Sequence, residues 1–584
     1  MSYRLSGMAG RHIKKAGFCE RKYRSLLATA TLTIAVIFVM LLSDSVIAGH
    51  FFGETGVAAI NTVMPVSGFV AFFSSIISCG TSILYSREIG AMRKRRANEL
   101  FGQGLVLSAA IAVSGALLLV LFGDAYFRRR GITGDIYRLA TGYYQWLPMD
   151  LILDIMISYL SQLVYSDGDE LCNNIALGLR IVGNIVLSIT LARSMGIAGI
   201  MLGTVIGNAL GILAICMHFF RKSNTLRFIW HFSLADLRQI VRFGIVDAVI
   251  YICWAIADYV LIGHVSAHYG EVGHVTLATV MGLIEFSIVL DGAGLALQPM
   301  METYMGEKNH TMIRRLMHIS MNMAVFEGVI ANAVVFVFAR QFCLLLGIDD
   351  AEALLPSIHA LRIVSMGLAF CSMVSLMTSY YVLVDHVALS VGITVLKDGL
   401  LYALLPVIAS AAFGESGMWA AFAAAPMLAL AVSLLYIRLR YGKARFPYLL
   451  EPTYRDIVVM DETLTTDSCT RLSERVQQDL LAHGRSQALA SRASLFMEEI
   501  GLTILEKNGR NRRPILIEVS LLYDDALVRL IERDSGIIFD ITDSDMKVEG
   551  LSGFLLSNLM ERQHKKAYLT TTGYNRNILQ FEEG

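Results

Sequence analysis

The chain has 584 residues, 55% of them hydrophobic and 17% charged, with mean hydropathy +0.57. That is too apolar for an ordinary soluble enzyme and points to a protein that crosses a membrane many times. Net charge is zero, which excludes a global basic field for nucleic acid, and the eight cysteines stand singly, without the spacing of a disulfide framework or a zinc site.

The N-terminal segment, residues 1–24, is basic. The apolar run behind it is too long for the core of a signal peptide and lacks a clear cleavage site, so it reads as a first span. A span takes roughly 20 apolar residues, and that yardstick finds about twelve before residue 440. They fall near 25–49, 55–83, 102–123, 137–165, 171–194 and 196–220, then near 243–268, 272–298, 312–339, 355–383, 388–412 and 415–437. Basic residues gather in the N-terminal segment and the second connection (Arg87, Arg93, Lys94, Arg95, Arg96). They gather again in the central connection (Arg221, Lys222, Arg227, Arg238, Arg242) and after the last span (Arg438, Arg440, Lys443, Arg445). An even span count puts all of these on one side, which the positive-inside rule makes the cytoplasm. Arg128, Arg129 and Arg130 fall on the other side and run against the rule.

Asp44 is the one charge in the first span between Ser25 and Gly49. ADYVLIGH at 257–264 repeats its surroundings 214 residues later, setting Asp258 against Asp44, Gly263 against Gly49 and His264 against His50. SREIG ending at Gly90 answers to METYMG ending at Gly306, an offset of 216. A near-constant offset marks an internal duplication: two lobes of six spans, 25–220 and 243–440, joined by a cytoplasmic connector at 221–242. Six is even, so the lobes run parallel, related by a pseudo-two-fold axis along the membrane normal.

After residue 440 the composition changes. Residues 441–453, with two prolines, read as a linker, and 454–584 as one small cytoplasmic α+β domain. RDIVVMDETLT, PILIEVSLLY, ALVRLIERDSG and KKAYLTTTGYN have strand character; LSERVQQDLLAHG and SRASLFMEEIGLTILEKNG are amphipathic helices stopped by glycine. Because it follows the last span through a short linker, this domain is expected under the C-terminal lobe.

Carboxylates inside spans are costly and need partners or a wet cavity. They are Asp44, Asp150, Asp154, Asp247, Asp258, Glu285, Asp291, Glu327 and Asp398. Asp150 and Asp154 share a helix face, so if both line one cavity one of them is expected to be protonated. Asn184 aligns with Asp398 at the same offset of 214, which favours a cleft-facing position for both. Lys397 adjoins Asp398 but leaves a regular helix on another face, so no pair between them is assumed. Few cations are evident within the spans.

In order along the chain, these features resemble the multidrug and toxic compound extrusion (MATE) family. They are Asp44-x-x-x-x-Gly49, Pro65, Gly80 to Gly90 before a basic loop, SDGD at 166–169, Asn184, GIAGIMLGTVIG at 196–207 and LQPMMETYMG at 297–306. The resemblance covers all twelve spans. It implies antiport of an organic substrate through a cleft between the lobes, driven by inward sodium or protons, with Asp44 at the coupling carboxylate and Asn184 at a partner. Two departures stand out: Ser188 where many members carry an acid, and FGIVDAV with Asp247 where many have a proline. The tail resembles the ATP-binding (Bergerat-type) fold of histidine kinases and anti-sigma-factor serine kinases, in degenerate form. Glu499 stands in the first box, but Thr503 replaces its magnesium-holding Asn; Asp534 and Gly536 keep the second box; Gly550 begins an imperfect third. That implies weak ATP or ADP binding and no kinase activity.

The expectation is therefore an all-α polytopic plasma-membrane protein of bacterial inner-membrane type, with both termini cytoplasmic. Its coupling or cleft residues are Asp44, Asn184, Ser188, Asp150, Asp154, Asp258, Glu285 and Asp398; no metal site or catalytic residue is expected. Expected partners are membrane lipid, a small amphipathic or cationic organic substrate and a cytoplasmic regulatory protein. The competing readings are a membrane-anchored sensor that signals through its tail and a flippase for lipid-linked intermediates.

Overall fold

The computed structural model describes residues 17–129, 134–221, 224–345, 348, 351–451, 456–509, 514–524, 527–541, 551–563, 566–568 and 573–582. The first half of the helical part holds α1 (Phe18–Gly90), α2 (Lys94–Arg129), α3 (Gly134–Tyr144), α4 (Leu147–Ser166), α5 (Glu170–Met195) and α6 (Ile197–Ile215). The second half begins with α7 (Leu234–His268), α8 (Gly270–Phe286), α9 (Gly292–Glu307) and α10 (His310–Leu345). It continues with α11 (Ala351–Ser365), α12 (Leu368–Leu383), α13 (Val387–Thr394) and α14 (Tyr402–Tyr441). Among the described residues, eight helical runs are long and apolar enough to cross a membrane, or nine if the pair bent by 47° between Ser365 and Leu368 is one span.

Several helices extend beyond the apolar windows or bend within them. α1 reverses at Gly53 (φ 65°, ψ −157°) and α14 at Gly414 (φ 67°, ψ −157°), both left-handed conformations that glycine adopts without a Cβ clash. Gly196 and Gly270 make the corresponding turns before α6 and α8, so the duplication extends to backbone conformation. A π-helical segment, Val395–Leu401, links α13 to α14.

Among the described residues, the two halves share apolar packing at one end. There, residues of α1, α2, α4, α7, α9, α10 and α12 form a single buried cluster. Towards the other end, each half has a separate core, one within residues 47–201 and one within 257–425. The halves therefore close together at one end and part towards the other, leaving a cleft between them. At the closed end the backbones touch. A Cβ on Gly80 of α1 would lie 2.0 Å from the Ile240 carbonyl oxygen, and one on Gly244 of α7 would lie 2.0 Å from that of Ile76. Small residues allow this crossing, since membrane helices associate through close van der Waals packing.

The C-terminal segment docks on the closed end. It comprises β1 (Asp456–Thr463), α15 (Thr466–Ala482), α16 (Gln487–Lys507), β2 (Leu516–Tyr523), β3 (Leu527–Asp534), α17 (Leu551–Arg562), β4 (Lys566–Tyr568) and β5 (Asn575–Glu582). The strands form one antiparallel sheet in the order β1-β2-β3-β5-β4. β5 and α17 add to the elements read from the sequence. Val519, Leu521 and Phe581 face α15 and α16, with Val476, Phe496 and Ile500 filling the space between. β2 is buried along its whole length although it carries Glu518, because its other face lies against the spans. The sheet contacts α9 and α10, in keeping with the expected seat under the second half, and extends beyond it to the end of α1. The linker is pinned by Tyr380, which donates to the Tyr448 carbonyl at 2.8 Å.

Overpacking a tight contact costs about 1–3 kcal/mol. Gly80→Val and Gly244→Val are each expected to lower the melting temperature of the detergent-solubilised protein accordingly. Gly178→Ala, whose added methyl meets nothing within 4 Å, serves as the neutral control. Equal melting temperatures for Gly80→Val and the wild type would contradict the backbone contact.

Candidate functional site

In the first half, polar residues step along facing helices at one-turn spacing. Arg180, Asn184 and Ser188 on α5 oppose Asn208, Thr204 and Ile200 on the antiparallel α6. Four-residue steps keep each set on one face. Asp44 from α1 enters this ladder, 7% exposed. Tyr143 of α3 donates to its carboxylate at 2.8 Å and Thr204 at 3.3 Å. Asn184 donates to Thr204 at 2.6 Å and accepts from Ser43 at 3.1 Å. Ser188 donates to the Ile200 carbonyl at 2.9 Å and makes no bond to Asp44.

One turn along, Asn208 donates to Asp150 at 2.8 Å and accepts from Arg180 Nε. Arg180 also forms an ion pair with Asp154. A guanidinium thus stands with Asp154 and an amide with Asp150. Asp154 is half-exposed to the cleft.

The second half is chemically different. Asp258 and Glu285 are both exposed and line one pocket with Trp254, Met281, Tyr402 and Phe422. Asp258 is thus the positional counterpart of Asp44 but not its chemical equivalent. Asp398 is buried behind that pocket, beside its lining residue Trp254, and meets Lys397 at 3.2 Å. That pair was not expected. The lysine stem is long enough to turn back to its neighbour, and the two lie in the π-helical segment, where regular α spacing fails. Asp291 accepts from Ser375. Glu327 accepts from Thr31 of the first half at 3.2 Å. Tyr251 lies within electrostatic reach of Asp154, Asp247 and Asp291, so the cleft gathers carboxylates from both halves.

In the tail, Glu499 and Thr503 lie one turn apart on α16, both buried, with Glu499 Oε2 and Thr503 Oγ1 unpartnered among the described residues. Asp534 is fully buried; its Oδ1 accepts from the Gly536 amide at 2.7 Å and Asn575 at 3.1 Å, while Oδ2 has no partner among the described residues. Burial pushes the Asp534 carboxyl above the usual carboxylate range. Gly550 lies outside the described residues.

Sequence reasoning missed Tyr143, Thr204, Asn208 and Arg180. Arg180 left a visible signal, a lone charge inside an apolar run; the other three did not, since Tyr, Thr and Asn occur in spans without special roles.

The MatE family profile matches residues 30–190. The chain resembles a MOP superfamily transporter from Pyrococcus furiosus, described as having a binding pocket of reversed polarity: TM-score 0.66, 20% identity, 73% of this chain and 96% of that one. It also resembles a mutant of the Vibrio cholerae MATE transporter VcmN: TM-score 0.67, 18% identity, 73% and 98%. A third likeness is to an outward-facing multidrug resistance MATE family transporter: TM-score 0.68, 19% identity, 74% and 98%. No curated protein sequence matches. These likenesses show a MATE-type fold, and with the apolar helices they make the chain a multi-pass membrane protein.

Proposed function

We propose that the chain is a secondary transporter that exports an amphipathic or cationic organic substrate by alternating access, driven by inward sodium or protons. The helices are read as twelve passes. α1 divides at Gly53 and α14 at Gly414, while α3 with α4, α8 with α9, α11 with α12, and α13 with the first part of α14 each make one. The passes form two lobes, 25–220 and 243–440, and the closed end with the tail lies in the cytoplasm of a bacterial-type plasma membrane. The likeness to multidrug transporters supports the reading at the level of fold.

The observation that carries it is Asp44. Its carboxylate is buried in a span, and its donors are the neutral hydroxyls of Tyr143 and Thr204. A buried carboxylate held by neutral groups gains from a counter-charge, and a proton or a sodium ion supplies one. The cleft beside it is acidic, and Trp254, Tyr402 and Phe422 give the second-half pocket aromatic walls suited to a lipophilic cation. A flippase for lipid-linked phosphates is disfavoured, because Arg180 and Lys397 each face a carboxylate. The sensor reading draws on the tail's buried contacts with both halves and would require the tail to transfer a phosphoryl group.

Asp44→Asn is expected to reduce gradient-driven dye efflux from sealed vesicles by about tenfold or more while leaving insertion intact, since removing a charge eases insertion. Efflux at the wild-type rate would remove Asp44 from the coupling role. For the tail, Thr503 stands where magnesium would be held, and magnesium positions the transferable phosphate. Calorimetry on the full chain with ATP and ADP should therefore give weak binding, unchanged by magnesium, with no phosphate transferred. Tight magnesium-dependent binding with phosphorylation of a partner would favour the sensor reading instead.

A further inference from the structure

Pairing register aligns one charged residue from each of four strands. Asp461 of β1 lies opposite Glu518 of β2, Glu518 opposite Arg533 of β3, and Arg533 opposite Arg576 of β5. Directly paired residues share a sheet face, so these four form a single straight rung. Glu518, Arg533 and Arg576 have no exposed surface.

The rung meets the ends of three membrane helices. Asp461 pairs with Arg315 of α10, and Glu518 accepts from Tyr304 of α9 at 3.2 Å. Arg533 pairs with Glu307, the last residue of α9, and Arg576 pairs with the same Glu307 at 3.1 Å. Arg576 also donates to the carbonyls of Ile89 at 2.6 Å and Gly90 at 3.2 Å. Those carbonyls close α1, where the helix leaves acceptors without intrahelical donors and carries partial negative charge. Phe18, the first residue of α1, packs edge-on against Tyr574 beside the rung at 4.7 Å.

Arg576 is thus a buried cation shared between the first half, through α1, and the second half, through Glu307. The two helix ends it joins are themselves in contact: a Cβ on Gly306 would lie 2.4 Å from the Gly90 carbonyl carbon. Arg87 of α1 adds a second bridge, to Glu302 at 2.9 Å and Asp385 at 3.0 Å. The tail is covalently joined to the second half alone, so its grip on α1 is the contact that can open. Parting the halves at this end strips Arg576 of the α1 carbonyls or of Glu307, and a buried charge tolerates neither cheaply.

We propose that the C-terminal sheet is a strap across the two halves: its charged rung holds the closed end shut, and opening of that end requires release of Arg576 and Tyr574 from α1. The strap rests on the alternating-access reading for its purpose, but it is tested without transport.

The test places spin labels on the full chain in lipid nanodiscs at Arg95→Cys, early in α2, and Arg440→Cys, in the last turn of α14, with the half-buried Cys79 and Cys216 changed to serine. Double electron–electron resonance should give one short distance for this parent. In Arg576→Gln the population at longer distance should rise about tenfold or more, and Arg576→Lys should restore part of the short population. Arg475→Gln, which removes an exposed ion pair with Glu462 within the tail, should leave the distances unchanged. A second protein, Phe18→Cys with Tyr574→Cys bridged by a short bismaleimide and with its spin labels at 95 and 440 carried on ketone-bearing side chains instead of cysteines, should hold the short distance even when a lipophilic cation or low pH lengthens it in the same protein left unbridged. An unchanged distribution in Arg576→Gln, or lengthening in the cross-linked protein, overturns the strap. A shift in distances without any gradient-driven efflux would keep the strap and discard the transporter reading.

Discussion

The two halves meet backbone to backbone at one end, and most of the architecture follows from that contact. Gly80 against Ile240 and Gly244 against Ile76 bring α1 and α7 closer than any side chain would permit. Helices that cross so tightly at one end and carry separate cores towards the other must diverge, and the cleft is the space they leave. The same closeness brings the ends of α1 and α9 together, where one sheet can cover both.

Charges within the spans are met by partners. Arg180 and Lys397 each meet a carboxylate, Asp154 and Asp398, whereas Arg362 donates to the Phe336 carbonyl at 3.2 Å and stacks on its ring. Desolvation makes a partner of some kind, whether carboxylate, carbonyl or ring, necessary for cations in an apolar medium. The remaining acids are held by hydroxyls and amides, as at Asp44, Asp150 and Asp291, or open to the cleft, as at Asp258 and Glu285. Carboxyl groups therefore outnumber ion-paired cations within both halves. The halves have diverged in how they use them: Asp44 is enclosed among donors, whereas Asp258 lies open beside aromatic rings.

The duplication was readable because Asp-x-x-x-x-Gly and the Gly90 and Gly306 motifs keep their spacing, and the turn glycines repeat with them. Four of the five tail strands and two of its three helices were readable from alternation and glycine stops. What escaped depends on tertiary register. Alternation places Glu518 and Ser520 on one face of β2, but only pairing aligns Glu518 with Arg533 and Arg576, which belong to strands distant in sequence. The linker shows where the tail is attached and says nothing of its reach to α1, so the expected seat under the second half is only part of its contact. Lys397 and Asp398 pair because the helix there is not regular, a local geometry that no periodicity argument anticipates.

The central claim is that an acidic cleft, closed at one end, couples cation export to ion entry. The most direct measurement follows both fluxes at once in sealed vesicles holding the wild-type protein: loss of a fluorescent lipophilic cation, and entry of sodium or protons, under imposed gradients of each ion separately. The account predicts that efflux runs under one of the two gradients, stops when that gradient is collapsed, and accelerates entry of the same ion. Efflux that ignores both gradients, or ion entry that does not respond to the exported cation, would contradict it.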